Sequence, residues 1–335
     1  MPTIRDVACK AGVSPITVSR AFSGTHPVAE ETRRRVLEAA EELGYTPDLL
    51  ARALARKQSP IIGMIVPELA NPFFVTIIDA VQAVARQKNH MVVANQSERQ
   101  PEMELTSLLQ FRQLRMAGVL VTPASTTLDH LQSLQADGIP VVVVARCWQD
   151  GDCVTVDDFA GGRIAGEHLL QLGHREIGCV SHAEPGNPAV QARVQGFQAA
   201  LVEGDRPFLP GRMIHVERTR LANAEQAVDA FLSLPHRPTA AFVTADRLAI
   251  GFVHQLQVRG LRVPEDVAVV GYDDIRYAEF LRVPLTTVAL PTYEMGQQAA
   301  QILFERIENS GEDSREWQRV LLQPELIVRA SCGAQ

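Results

Sequence analysis

Ile4-Arg5-Asp6-Val7-Ala8, Ala11-Gly12-Val13-Ser14 and Thr17-Val18-Ser19-Arg20 set out a helix, a tight turn and a second short helix at the start of the chain. This is the spacing of a helix-turn-helix whose second helix enters the major groove of DNA. Thr3 is a suitable N-cap, and Asp6 stands three residues on as a capping-box variant. Val7, Ala8 and Ala11 share one helical face. Gly12 permits the positive φ that such a turn needs. Val13 is expected to be buried in the turn. Ser14 caps the second helix, and Pro15 opens it where a missing N–H costs nothing. Val18 faces inward, which leaves Pro15, Ile16, Thr17, Ser19 and Arg20 facing out. An αα-hairpin at the edge of a larger domain is the alternative. Small residue, Gly, cap, Pro and Val all fall in register, which favours DNA binding.

A third helix follows. Glu30 and Glu31 open it near the positive end of its dipole, Val36, Leu37, Ala40 and Leu43 form its apolar stripe, and Gly44 and Pro47 end it. Arg33, Arg34 and Arg35 form a solvated face with possible phosphate contacts. Residues 48–57 read as a short, basic, helix-prone linker, too short to be stable alone. The domain boundaries expected are therefore 1–47 for the helix-turn-helix, 48–59 for a linker helix and 60–335 for the rest.

From Ile61 the texture changes. Short apolar runs (Ile61–Val66, Met91–Ala94, Gly118–Thr122, Pro140–Ala145, Ile177–Val180, Thr239–Thr244, Val267–Gly271) alternate with helical stretches (Phe74–Lys88, Glu102–Arg115, Leu128–Ala136, Gly161–Leu172, Ala189–Glu203, Glu225–Leu234, Leu248–Arg259). Alternation of this kind builds parallel sheets covered on both faces. Over so long a stretch it predicts two doubly wound α/β subdomains with a ligand cleft between them.

Charge agrees with this division. The net charge is −7, yet residues 1–60 carry nine Lys and Arg against seven Asp and Glu, while the remainder carries 23 against 32. The basic excess lies where the DNA-binding module lies. No run of eighteen apolar residues suggests a membrane span, and the polar N-terminus has no signal-peptide core, so a cytoplasmic protein is expected. The five cysteines form no Cys-x-x-Cys pair, which suggests neither a metal site nor redox chemistry; Cys147 and Cys153 are expected as free thiols. No cofactor is indicated.

Several segments together resemble the LacI family of bacterial transcription regulators. They are Thr3–Arg20, Val28-x-Glu30-Glu31-Thr32-Arg33-x-x-Val36, Leu43-Gly44-Tyr45-x-Pro47, Ala51-Arg52-x-Leu54, Ile62-Gly63 and Asn71-Pro72-Phe73-Phe74. Gly173-His174-Arg175-x-Ile177, Val269-x-Gly271-Tyr272-Asp273-Asp274 and Pro284-Leu285-Thr286-Thr287 complete the set. The resemblance runs the length of the chain. It implies a helix-turn-helix domain followed by a periplasmic-binding-protein-like domain of two subdomains. It also implies a homodimer, sometimes a tetramer, on a near-palindromic operator, with a small effector held between the subdomains. The C-terminal residues show no apolar heptads for a tetramerising coil, which favours the dimer.

On this resemblance the DNA-facing set is Thr3, Ser14, Pro15, Ile16, Thr17, Ser19, Arg20, Leu54 and Arg56. Pro15 and Ile16 offer apolar contact, such as to a thymine methyl; Arg20 is placed for guanine or for phosphate. Leu54 matches the minor-groove wedge, with packing between linker helices as the alternative. The effector set is Phe73, Phe74, Arg146, Asp157, Arg193 and Asp273. Arg193 and Asp273 match the residues that hold ligand hydroxyls, with a salt bridge as their alternative role. The family commonly has Asn-Asp at Ala245-Asp246. Ala245 cannot hydrogen-bond a sugar, and Asp246 reads as a helix N-cap. That departure speaks against a neutral hexose. Val216–Leu221 has no aromatic residue to stack on a nucleobase but contains Arg218 and Arg220. With Arg146 and Arg193 these suggest a sugar acid or phosphorylated sugar.

The sequence lacks Gly-x-Gly-x-x-Gly, a phosphate-binding Gly-x-x-x-x-Gly-Lys-Ser/Thr loop and His-Glu-x-x-His, and Gly161-Gly162 has the wrong spacing for a dinucleotide, so no enzyme is indicated. A sugar-transport protein is opposed by the helix-turn-helix. An activator, or a corepressor-dependent regulator sensing a non-sugar metabolite, stays open beside the repressor reading.

Overall fold

The computed structural model describes residues 2–23, 27–45, 59–124, 127–182, 187–206, 208–217, 223–234, 236–309 and 316–334. The chain divides into two compact units, residues 1–60 and 61–335.

In the first unit, α1 (Ile4–Ala11), α2 (Pro15–Ser23) and α3 (Glu30–Leu43) surround one small core. The Asp6 carboxylate accepts from the Thr3 N–H and hydroxyl, each at 2.7 Å. Those two bonds, the backbone one first, hold its carboxyl below the usual carboxylate range. Gly12 ends α1 at φ 66, and the Val13 N–H turns back to the Ala8 carbonyl at 3.0 Å. This is the left-handed exit that glycine makes without a Cβ penalty. Val7, Ala8, Ala11, Val18, Ala21, Val36, Ala39 and Ala40 are buried together. Mostly small, they let three short helices approach closely. Leu37, expected in the α3 stripe, is 42% exposed, and Ala39 is buried in its stead. Positions 36, 39, 40 and 43 share one face at 3.6 residues per turn, and 37 lies about a quarter-turn away. Val13 is only half-buried at the rim.

The second unit has two six-stranded sheets. The first contains β1 (Ile61–Val66), β2 (Met91–Gln96), β3 (Gly118–Val121), β4 (Val141–Val144), β5 (Asp152–Val156) and β11 (Arg319–Leu322) in the order β11-β5-β4-β3-β1-β2, all parallel. The second contains β6 (Ile177–His182), β7 (Met213–Val216), β8 (Ala240–Val243), β9 (Ala268–Asp273), β10 (Thr286–Ala289) and β12 (Glu325–Ile327) in the order β12-β10-β9-β8-β6-β7. Among the described residues only its β10–β12 pair is antiparallel. The chain passes between sheets three times, after β5, after β10 and after β11, which makes two subdomains joined by three strands of chain. Helices α4 (Pro72–Gln87), α5 (Pro101–Gln113), α6 (Gln132–Ala136), α7 (Asp158–Gln171), α8 (Pro188–Glu203), α9 (Ala224–Leu232), α10 (Asp246–Val258) and α11 (Thr292–Glu308) complete the unit. Among the described residues no helix is long and apolar enough to cross a membrane.

The apolar runs fall on β1–β4, β6, β8 and β9. Five strands and α11 were not apparent as such. β5 begins with Asp152, buried because Arg306 holds its carboxylate through two bonds of 2.7 and 2.8 Å from 154 residues away. The buried positions of α11, Met295, Gly296, Ala299, Ala300, Ile302, Leu303, Phe304 and Ile307, spread over more than half of the helix circumference, so no narrow stripe stands out. The stretch read as a helix from Leu128 is a 3₁₀ turn, Asp129–Leu131, followed by the single turn of α6.

Cys147 and Cys153, expected as free thiols, are joined in a disulfide. β4 and β5 are adjacent, with Val144 opposite Val154, and their short connection brings the two Cα atoms to 5.2 Å. Sequence separation carries no information on that fold-back.

Candidate functional site

Two surfaces carry polar chemistry. The first is the outer side of α2. Ser14 Oγ accepts from the Thr17 N–H at 3.1 Å and lies 2.9 Å from Thr17 Oγ1, so the cap fixes the helix start and the Thr17 hydroxyl together. Val18 and Ala21 turn inward. Pro15, Ile16, Ser19 and Arg20 are exposed, and Thr17 is half-buried. Ile16 is 65% exposed, an aliphatic side chain presented to solvent between polar neighbours. Arg33, Arg34 and Arg35 are exposed on α3, and Arg34 is paired along its helix with Glu38 at 3.0 Å. Leu54 and Arg56 lie outside the described residues.

The second surface is a cleft of about 260 Å³ in the second unit, between the carboxyl ends of the two sheets. That is where open α/β sheets hold ligands. Asn71 caps α4 by accepting from the Phe73 N–H at 3.2 Å, which delivers Phe73 and Phe74 to the cleft edge to face, 5.0 Å apart. Arg146 enters from the loop after β4, Arg99 from the loop after β2, and Arg247 from the first turn of α10. Arg247 also bridges the cleft to Glu68 of the other subdomain at 2.8 Å. His182 closes β6; burial first, then the Arg193 and Arg99 cations, push its imidazole down to about 3, so it is neutral. Among the described residues that line the cleft are four guanidinium groups and one carboxylate, Asp273.

Arg193 is the centre of this site. α7 and α8 cross so closely that a Cβ on Gly162 would strike the Arg193 carbonyl, and one on Gly196 would strike the Phe159 carbonyl. The crossing sets Arg193 over the start of α7. Its Nε donates to Asp158 Oδ1 at 2.7 Å, and its Nη1 donates to the Thr244 carbonyl at 2.9 Å and Asp273 Oδ1 at 3.3 Å. The Tyr272 ring lies 3.9 Å beneath the guanidinium, and its hydroxyl donates to Asp158 Oδ1 at 2.9 Å. Burial raises the Asp273 carboxyl to about 7; Arg193 opposes the rise and Asp158 adds to it. Asp273 and Asp274 both have positive φ, 115 and 52. Below them Asp246 accepts from the Ile275 N–H at 3.0 Å and the Thr287 hydroxyl at 2.7 Å, which anchors the turn. Burial, then Asp273, holds the Asp246 carboxyl well above the ordinary range.

Phe73, Phe74, Arg146, Arg193 and Asp273 thus come together at one cleft. Asp157 does not line it. It caps α7, accepting from the Ala160 N–H at 2.9 Å, and its neighbour Asp158 takes the inward position. Asp246 is not an N-cap: Ala245 holds the cap position, and the carboxylate of Asp246 faces across to β10. Arg218 and Arg220 lie outside the described residues. Asp158, Tyr272, His182, Arg99 and Arg247 were missed as site residues. The available signal was Gly161-Gly162, which makes room for the Tyr272 hydroxyl and the Arg193 backbone. Among the described residues no cluster of His, Cys, Asp or Glu could hold a metal ion.

The model of the lacI family of bacterial regulatory proteins matches residues 3–48, and that of periplasmic binding protein-like domains matches residues 167–332. The HTH-type transcriptional repressor PurR of Vibrio vulnificus (strain CMCP6) is 35% identical over 334 residues, covering 98% of each chain. The lac repressor dimer bound to operator and the anti-inducer ONPF superposes with a TM-score of 0.84 at 26% identity, covering 98% of each chain. A complex of the transcriptional regulator CelR with cellobiose gives 0.73 at 29% identity, over 99% of this chain and 100% of that one. Similarity of both units, in order and over nearly the whole length, means that this chain belongs to the lacI family of bacterial regulatory proteins and is a DNA-binding transcriptional regulator.

Proposed function

We propose that the protein is a repressor that binds a near-palindromic operator as a homodimer, and that its cleft takes a small anionic sugar derivative such as a sugar acid. The observation that carries the effector class is the set of guanidinium groups turned to the cleft among the described residues, Arg99, Arg146, Arg193 and Arg247, of which Arg193 is paired with Asp158 and Asp273 and Arg247 with Glu68. Arg193 and Asp273 are arranged to share vicinal hydroxyls, and the planar fork of Arg146 suits a carboxylate. Ala245 offers no amide to a neutral hexose. The repressor role and the dimer draw support from the relatives' names. The dimer is also supported by Tyr277 and Phe280, 54% and 78% exposed on the second unit. Ile16 and Arg20 read bases on α2, and Leu54 wedges the minor groove. Occupation of the cleft changes operator affinity by a coupling of about 1–3 kcal/mol.

Calorimetry on the whole chain with D-gluconate and D-galacturonate beside glucose and galactose tests the effector class. The acids are expected to bind at least about tenfold tighter than their neutral parents, the worth of one charge-assisted contact, and Arg146→Ala is expected to abolish the difference. Equal affinity for acid and parent sugar would remove the anionic reading. Phe73 and Phe74 at the cleft edge favour a second reading, a planar heterocycle stacked on a ring; nucleosides and free bases in the same series decide it.

A further inference from the structure

We infer that Cys147 and Cys153 are a reversible redox pair whose disulfide holds Arg146 in the effector cleft. The inference rests on the cleft reading above for its consequence, and on the β4–β5 connection for its chemistry.

Adjacent parallel strands are ordinarily joined by a crossover of about a dozen residues or more. β4 and β5 are parallel neighbours joined by residues 145–151 alone. The chain must therefore reverse as it leaves β4, and it does so at Ala145, whose φ is 62. An alanine avoids that conformation and keeps it only where its surroundings enforce it. Three features enforce it. The Ala145 N–H donates to the Val154 carbonyl at 2.9 Å. Trp148 is buried against Gly151, where a Cβ would collide with the indole. The Cys147–Cys153 bond then closes the loop. Arg146, the cleft residue, sits between the strained alanine and the first cysteine.

A protein that acts on DNA works where thiols are kept reduced, and disulfides there are mostly transient and redox-sensing. The pair is built for exchange: Cys147 is exposed, and Cys153 is buried on β5 directly beneath it. The oxidant is a low-molecular-weight disulfide. The Cys147 thiolate attacks one of its sulfurs, forms a mixed disulfide and expels one thiolate. The Cys153 thiolate then attacks Cys147 Sγ and expels the second. Two electrons pass from the cysteines to the small disulfide, and the two protons lost by the cysteines go to the two thiols released. Reduction runs the same steps backward. In the oxidised form Ala145 is held and Arg146 faces the ligand. In the reduced form one of the three restraints is gone, the loop 145–151 loosens around the turn that the strand register still requires, and Arg146 is held in the cleft less firmly.

The test equilibrates the whole protein in glutathione buffers from fully reduced to fully oxidised. Alkylation with peptide mapping reads Cys147 and Cys153 separately from Cys9, Cys179 and Cys332. Hydrogen exchange reads residues 141–156, and calorimetry reads affinity for D-gluconate and for inorganic phosphate. The pair is expected to interconvert reversibly within the series. The reduced form should exchange faster over 141–156 and bind the probes about tenfold more weakly, the worth of one charge-assisted contact. Cys147→Ser should behave as the reduced form at every ratio, and Arg146→Ala should bind the probes equally in both redox states. A pair that stays in one state throughout, or two states that exchange alike, overturns the inference. If neither probe binds either form, the anionic reading of the cleft fails, and the exchange difference still decides the redox claim.

Discussion

Arg193→Met keeps an unbranched apolar stem and deletes the guanidinium. Three acceptors then lose their donor: Asp158 Oδ1, Asp273 Oδ1 and the Thr244 carbonyl. Asp158 keeps the Tyr272 hydroxyl; nothing replaces the cation. Removing one partner of a buried ion pair costs about 3–5 kcal/mol, and that is the loss expected at pH 8. The loss should also depend on pH. Burial has already raised Asp273 to about 7 against the pull of Arg193; without Arg193 it rises further. A carboxyl whose folded pKa lies above its unfolded value contributes stability that is complete below the unfolded pKa and lost as pH climbs through the folded one. Wild-type stability therefore declines as pH passes through about 7, and the variant declines more steeply. Between pH 8 and pH 6 the gap between the two proteins should close by about 1 kcal/mol as Asp273 takes up its proton. Urea denaturation at both pH values, followed by Trp148 and Trp317 fluorescence, measures this in the second unit. A loss under about 1 kcal/mol at pH 8, or an equal loss at both pH values, would show that the guanidinium is not what compensates the buried carboxylates.

Gly162→Ala drives a methyl into the Arg193 carbonyl, so melting and ligand titration should show a stability loss of about 3 kcal/mol together with lost cleft binding. Gly211→Ala, with open space around it, serves as the control and should fall within about 0.5 kcal/mol of wild type. If Ile16 covers a thymine methyl, replacing that thymine by uracil weakens the wild-type complex by about 1 kcal/mol and leaves the Ile16→Ala complex unchanged; equal weakening of both would exclude the contact. Affinity for a carboxylate ligand should fall severalfold from pH 6 to pH 8 as Asp273, set to about 7 by burial, gains charge beside it. Asp273→Asn should flatten that profile, and a wild-type profile already flat would argue against a ligand carboxylate near Asp273.

The first unit was legible because its signals are local. Thr3 with Asp6, Gly12 at the turn and Ser14 before Pro15 each act within a few residues, and each does so in the structure. The alternation of strands and helices was legible for the same reason. The cleft was legible where a residue belongs to a family motif, as with Phe73, Phe74 and Asp273, or follows a recognisable strand, as Arg146 follows β4. Asp158 reaches Arg193 across 35 residues and only because two helices cross on glycines. Gly161-Gly162 read as a failed dinucleotide loop because the partner it makes room for lies on another element. Asp246 looked like a cap because an Asp at a helix start is a good local choice; its buried bond to Thr287 is a tertiary fact. The Cys147–Cys153 bond likewise follows from strand register, which no periodicity encodes.

If the cleft regulates DNA binding, operator affinity measured with and without ligand reads the coupling between them. An operator selected from random DNA and labelled for fluorescence anisotropy is titrated with the whole protein at fixed salt, first alone and then with a saturating cleft ligand. Coupling of about 1–3 kcal/mol predicts a 5- to 150-fold change in operator affinity, absent in Arg193→Met. Unchanged operator affinity in the wild type, with calorimetry showing the cleft filled, would contradict it.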